Sequence, residues 1–204
     1  MWRSMMRATW QAFEHLFHWA FRLKPIQPGE EHLFYVAKRR YYGRQFQVDD
    51  IVVHRFDKVV ELHMNNDMIA DILSTETEMM PIVLRLLKEA NRSVSILARL
   101  LEEEEFRDAN AIYGITFIHR GIRRFGLHAI PLQTGILRSI TRWHLKNVFR
   151  MVNPNADEIL KNHMDVFEPK LVAASRARFV ARHGVAASSA AVAEQSVVAD
   201  HVLS

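Results

Sequence analysis

Two short stretches carry side chains suited to proton transfer or anion recognition. The first is Glu61-Leu62-His63-Met64-Asn65-Asn66. On a strand, alternation sends Glu61 and His63 to one side and Leu62 and Met64 to the other, so a carboxylate and an imidazole project together. A carboxylate in that position raises imidazole basicity and fixes its tautomer, as a general base requires. An ordinary satisfied polar pair uses the same two residues. The second stretch is Gly114, Thr116, His119-Arg120-Gly121 and Arg124, with Arg123 beside it. Backbone amides at a helix start, together with the His119 imidazole and the Arg120 guanidinium, suit a phosphate or carboxylate. The candidate catalytic set is therefore Glu61, His63 and His119, and the candidate ligand-binding set is Asn66, Thr116, Arg120, Arg123 and Arg124. If the strands leading to His63 and His119 are neighbours, both imidazoles face one cleft.

Charge is segregated around the second stretch. From Ala109 through Ala156 there is no Asp or Glu, while Arg120, Arg123, Arg124, Arg138, Arg142, Lys146 and Arg150 contribute seven positive charges. The last four are spaced four apart and line one face of a helix expected over 135–152. Such a row costs a few tenths of a kcal/mol per pair unless anions lie opposite. The glutamates at 102–105 are one source of those anions, and an external anionic ligand or lipid surface is another.

The elements that position these residues follow from periodicity. Short apolar runs at 33–37, 47–53 and 59–64 read as strands, and the polar segment 55–58 suggests an antiparallel hairpin over 47–64. Asn66 or Asp67 caps a helix over 67–73. Residues 79–106 read as a long helix with Ile82, Leu86, Leu87, Ala90, Val94, Leu97 and Leu101 on its buried side, and Pro81 fits its first turn. Strands are expected at 111–118 and 127–132, separated by a helical stretch at 119–125 that Gly126 closes. Further helices are expected at 135–152, 157–167 and 169–182. The expected organisation is an N-terminal amphipathic helix (1–24), an α+β domain (25–183) in which a small mixed sheet is covered by long helices, and a disordered tail (184–204).

Composition and missing motifs narrow the function. The chain has 204 residues, 49% hydrophobic and 25% charged, and a formal charge of 27 − 23 = +4, which is ordinary for one globular domain. The absence of cysteine removes disulfide frameworks, thiolate metal sites and thiol nucleophiles. No phosphate-binding glycine loop, dinucleotide fingerprint, nucleophile elbow or zinc-binding histidine pair occurs, so no metal and no cofactor are expected. No apolar run is long enough to cross a bilayer, and the charged N-terminus is unlike a secretory signal. A cytoplasmic location is therefore expected, with the N-terminal helix as the candidate for peripheral membrane contact. Nucleic-acid binding through the cationic helix is the second alternative, and it ranks last because Trp143 and Phe149 alone interleave that helix.

Taken together, Arg39-Arg40-Tyr41-x-Gly43, Glu61-Leu62-His63-x-x-Asn66 and Gly114-x-Thr116-x-x-His119-Arg120-Gly121-x-x-Arg124-x-Gly126-Leu127 resemble the YkoP-like domain of spore-forming Gram-positive bacteria. The resemblance covers roughly residues 10–170. It implies a domain found alone or joined to polysaccharide deacetylase domains, with no established activity of its own. The chain lacks the paired aspartates and the H-x3-H metal motif of such a deacetylase, so that reaction is not assigned to it. The leading expectation is an accessory protein of envelope or spore polysaccharide metabolism that binds an anionic glycan or a lipid-linked sugar phosphate. In that reading Arg120, Arg123 and Arg124 hold the anion and His63 and His119 orient it. The competing expectation is a small hydrolase or transferase that uses the Glu61–His63 pair with a His119–Arg120 anion site.

Overall fold

The computed structural model describes residues 22–75, 79–116, 121–132 and 168–186, together with the single positions 119, 139, 146 and 150. The strands are β1 (Lys24–Pro25), β2 (Phe34–Arg40), β3 (Phe46–Val48), β4 (Ile51–Val53), β5 (Lys58–Met64), β6 (Ala111–Thr116), β7 (His128–Pro131) and β8 (Lys170–Ser175). The helices α1 (Asn66–Thr75), α2 (Met79–Glu102) and α3 (Arg176–His183) accompany them. Six strands form one mixed sheet in the order β1-β2-β5-β6-β8-β7, and β3 and β4 form a separate two-stranded ribbon. Among the described strands only the β5–β6 pair is parallel. The expected α+β class holds.

Alternation along the paired strands makes two different faces. Val36, Leu62, Ile112 and Ala174 face the helices and join Ala90, Val94, Leu97, Leu101 and Phe179 in the larger core. Val59, Ala111, Leu171 and Ala173 face the other way, against Tyr41, Phe46, Val48 and Val53 of the small ribbon and its approach. The long helix buries the apolar stripe expected of it, since Val94, Leu97, Ala98 and Leu101 are all at most 2% exposed. It ends at Glu102, short of 106, and a separate 3-10 turn at Glu104–Phe106 buries Phe106. Among the described residues no helix is long and apolar enough to cross a membrane.

Three sequence expectations are corrected. Residues 47–53 are not one strand but the ribbon itself, which turns at Asp49-Asp50, with Asp49 at φ 50. A short polar side chain tolerates that conformation, and Asp49 Oδ2 accepts the Ser175 amide at 2.8 Å. The turn at 55–57 exists but leads into β5, which pairs with β2 rather than with β4. The three-residue β4 cannot cover seven-residue β5, whose Val59, Val60 and Leu62 are buried on both faces. Lastly, the first half of 169–182 is not helical. Lys170–Ser175 is strand β8, inserted between β6 and β7, and its residues from Leu171 onward are buried on both faces. The helix propensity of Ala173 and Ala174 is a weak preference, and a slot that buries every side chain overrides it. Ser175 then caps α3 by accepting the Arg178 amide. The helix expected over 1–24 does not reach its expected end, since Arg22 has φ 48 and Lys24 begins β1. The tail expected over 184–204 does not start at 184, since Val185 and Ala186 are helical. Residues 1–21, 157–167 and 187–204, and the cationic helix at 135–152 apart from positions 139, 146 and 150, lie outside the described residues.

At Gly114 the parallel strands approach closely: a β-carbon there would lie 2.8 Å from the Leu62 carbonyl oxygen. Gly114→Ala is expected to cost about 1–3 kcal/mol by overpacking, read from the urea midpoint at unchanged slope.

Acid sensitivity follows from two histidines. Burial, with the Arg92 charge next, pushes His32 below its ordinary 6.5 despite Glu30 and Glu89. Burial lowers His183 likewise, although its bond to the Phe125 carbonyl opposes this. Both groups resist protonation in the folded chain, so their stabilisation is complete above about pH 6.5 and is lost as pH falls below it. The thermal midpoint is expected to drop between neutral pH and mildly acidic pH, and less so in His32→Leu, which keeps the bulk but cannot be protonated.

Candidate functional site

Glu61 stands near the middle of the sheet, opposite Ala37 of β2 and Tyr113 of β6. The register puts Arg39 diagonally across from it and His63 two residues along, on the face turned away from the helices. Glu61 Oε2 lies 3.0 Å from Arg39 Nε, and Oε1 lies 3.5 Å from His63 Nε2. The three side chains are each between 21% and 27% exposed. At 3.5 Å the imidazole contact is at the limit of a hydrogen bond. Tyr113 completes the group with a phenol that bonds to the carboxylate.

The electrostatics keep the proton off Glu61. Burial pushes its carboxyl up, but His63 beside it, the Arg39 guanidinium and the Tyr113 hydrogen bond outweigh burial, and it sits below the ordinary carboxylate range. Burial, with the Glu61 charge next, pushes the Tyr113 phenol far up, so Tyr113 stays protonated and donates to Glu61. Tyr41 walls the cluster with its ring edge-on to Tyr113 at 5.3 Å and to Phe46 at 5.2 Å. Its hydroxyl donates to the Arg44 carbonyl at 2.8 Å, and a β-carbon at Gly43 would overlap the Tyr41 phenol. The segment Arg39-Arg40-Tyr41-x-Gly43 thus supplies one ion partner and one wall.

The other candidate residues are placed differently. Thr116 is on the helix-facing side, buried, with its hydroxyl 3.4 Å from Met64 Sδ. Asn66 is the first residue of α1, and the capping is done by its neighbour: Asn65 Oδ1 accepts the Met68 amide while Asn65 Nδ2 donates to the His32 carbonyl. His119 is partly buried beyond the end of β6, and Arg120 lies outside the described residues. Arg123 and Arg124 sit on a 3-10 turn, Ile122–Phe125, bounded by Gly121 at φ 79 and Gly126 at φ 72. Phe125 and Leu127 anchor that turn in the helix-side core. From α3, Arg182 donates to the Arg124 carbonyl at 2.9 Å, and His183 Nε2 lies 3.0 Å from the Phe125 carbonyl. The arginine turn and the Glu61–His63 pair are therefore on opposite faces of the sheet.

Arg123 and Arg124 are exposed and have no carboxylate partner among the described residues, and the Arg124 guanidinium lies 5.6 Å over the Phe125 ring. Of the glutamates at 102–105, Glu105 pairs with Lys24 at 2.7 Å. Of the cationic row at 138–150, only positions 146 and 150 are described. Among the described residues no group of three or more His, Asp or Glu is placed to hold a metal ion.

Sequence reasoning missed Arg39 and Tyr113. Arg39 lies beyond the strand expected at 33–37, and Tyr113 within the one expected at 111–118. Their convergence on Glu61 depends on register, which no local pattern encodes. A second missed pair is Asp49, whose side chain is 5% exposed, with His128 at 2.9 Å, which ties the ribbon to β7.

No match was found among curated proteins or among solved structures. The model of the YkoP domain family matches residues 3–183, and that span includes every strand and helix described above. The chain belongs to the YkoP domain family.

Proposed function

We propose that this YkoP-domain protein carries out acid–base chemistry on a glycan-class substrate, a hydrolysis or group transfer, at the sheet face bearing His63. The observation that carries this reading is the Glu61 carboxylate, held ionised between Arg39 at 3.0 Å and the Tyr113 phenol while its other oxygen faces His63 at 3.5 Å. In this mechanism His63 removes the proton from a water or substrate hydroxyl, and the resulting imidazolium is stabilised by Glu61. Arg39 and Tyr113 are positioning residues that keep the negative charge on Glu61. The substrate class, and with it the link to envelope or spore polysaccharide, rests on the resemblance to deacetylase-associated domains.

The test is product release from a panel of sugar phosphates and uronate oligosaccharides by the full chain and by His63→Gln. Turnover that falls by about 10²–10⁴-fold in the variant, with an unchanged thermal midpoint, supports the reading. Equal turnover by the variant, or no turnover of any member, overturns it.

A second reading, binding of an anionic ligand without chemistry, is favoured by the exposed Arg123 and Arg124 on their rigid turn. A rise in thermal midpoint with sugar phosphates that Arg123→Ala/Arg124→Ala abolishes would support it. A rise that survives that substitution would remove it.

A further inference from the structure

Beside the Tyr41 wall of the Glu61 cluster, two turns at one end of the sheet display aromatic rings to solvent. Tyr42 is 68% and Phe56 49% exposed, and their rings meet edge-to-face with centroids 5.6 Å apart. The turns are locked to each other: the Tyr41 amide donates to the Asp57 carbonyl at 2.8 Å, and the Phe56 amide donates to the Tyr41 carbonyl at 2.6 Å. Arg40 adds a bond to the Phe56 carbonyl at 3.2 Å. Phe56 is held at φ 73, a left-handed conformation that bulky residues rarely adopt. Glycine or asparagine would turn the chain there with less strain, and neither would present a ring.

The surroundings of the rings are cationic. Arg40 and Arg55 are exposed, and the Arg55 guanidinium lies 4.9 Å over the Phe56 ring. The adjacent carboxylate, Asp57, accepts the His54 amide at 2.8 Å. Asp108 is occupied by Lys38 and Lys58.

We propose that the Tyr42–Phe56 tip is a contact surface for an anionic phospholipid membrane. Rigid aromatic rings seat at the headgroup level while guanidinium groups meet lipid phosphates. Single-stranded nucleic acid also takes aromatic rings and cations, but it needs open ring faces for stacking. Here the Phe56 ring already carries Arg55 and the edge-to-face contact with Tyr42, so the membrane fits better. The tip is independent of the acid–base site and stands whether or not that reading does.

The experiment is co-sedimentation of the full chain with vesicles of phosphatidylcholine alone and of phosphatidylcholine with roughly 30 mol% phosphatidylglycerol. The wild type is expected to pellet with the anionic vesicles only. Tyr42→Ser/Phe56→Gly is expected to reduce the bound fraction about fivefold. Glycine accepts the Phe56 conformation, so the variant's thermal midpoint should be no lower, and the N-terminal segment is intact in both proteins. No pelleting with anionic vesicles, equal pelleting of the variant, or retention on a single-stranded RNA oligonucleotide without vesicle binding would each overturn the proposal.

Discussion

Phe179→Ala is expected to remove about 3–5 kcal/mol of folding stability, the cost of deleting a fully buried ring and leaving its cavity. Phe179 is 1% exposed and joins α3 to the core built by Val94, Leu97 and Leu101. The helix it anchors has eight residues, too few to persist without tertiary packing. The same helix supplies Arg182 and His183 to the carbonyls of Arg124 and Phe125, so the arginine turn should loosen together with the core. Denaturant midpoints measure the first effect, and amide exchange at residues 122–127 measures the second. Phe179→Leu retains most of the apolar bulk and should lose less on both counts. An alanine variant within about 1 kcal/mol of wild type would show that the site collapses without cost, contrary to the packing described.

Glu61→Gln is expected to cost about 1–3 kcal/mol at neutral pH, because the half-buried Arg39 loses its carboxylate while the shape of the side chain is kept. The pH dependence gives a sharper signature than the magnitude. Glu61 titrates below its ordinary 4.5 in the folded chain, so its stabilisation is fully present above that value and is lost as pH falls through the folded-state value. The stability difference between wild type and Glu61→Gln should therefore hold constant from neutral pH down to about 4.5 and shrink in more acid solution. A difference independent of pH throughout the acid range would mean that the charge of Glu61 contributes nothing. If His63 acts as proposed, the same variant should also lose turnover, since the imidazolium would lack its anion.

How much of this could be read in advance depended on the range over which each interaction acts. The long helix was visible because its buried side chains recur at a spacing set by the helix itself, as Val94, Leu97 and Leu101 illustrate. The common orientation of Glu61 and His63 was visible for a similar reason, since strand alternation is local. The stop at Gly126 was marked by a residue that accepts positive φ, whereas Gly121, inside the helical stretch expected over 119–125, instead opens a shorter 3-10 turn at Ile122–Phe125. Arg39 and Tyr113 were not visible as partners of Glu61, because 22 and 52 positions separate them from it along the chain (61 − 39 and 113 − 61).

From the sequence by itself came the α+β class, the buried stripe of α2 and a carboxylate–imidazole pair on one side of a strand. Each depends on side-chain periodicity and short-range sterics, which neighbouring residues define. Strand order, the insertion of β8 between β6 and β7, and the opposite placement of the arginine turn and Glu61 were decided only in the tertiary structure. Those features depend on which distant segments bury each other's surfaces. Leu171 to Ser175 became a strand because the slot between β6 and β7 offered burial on both faces, and a helix would have left one side of that slot unfilled.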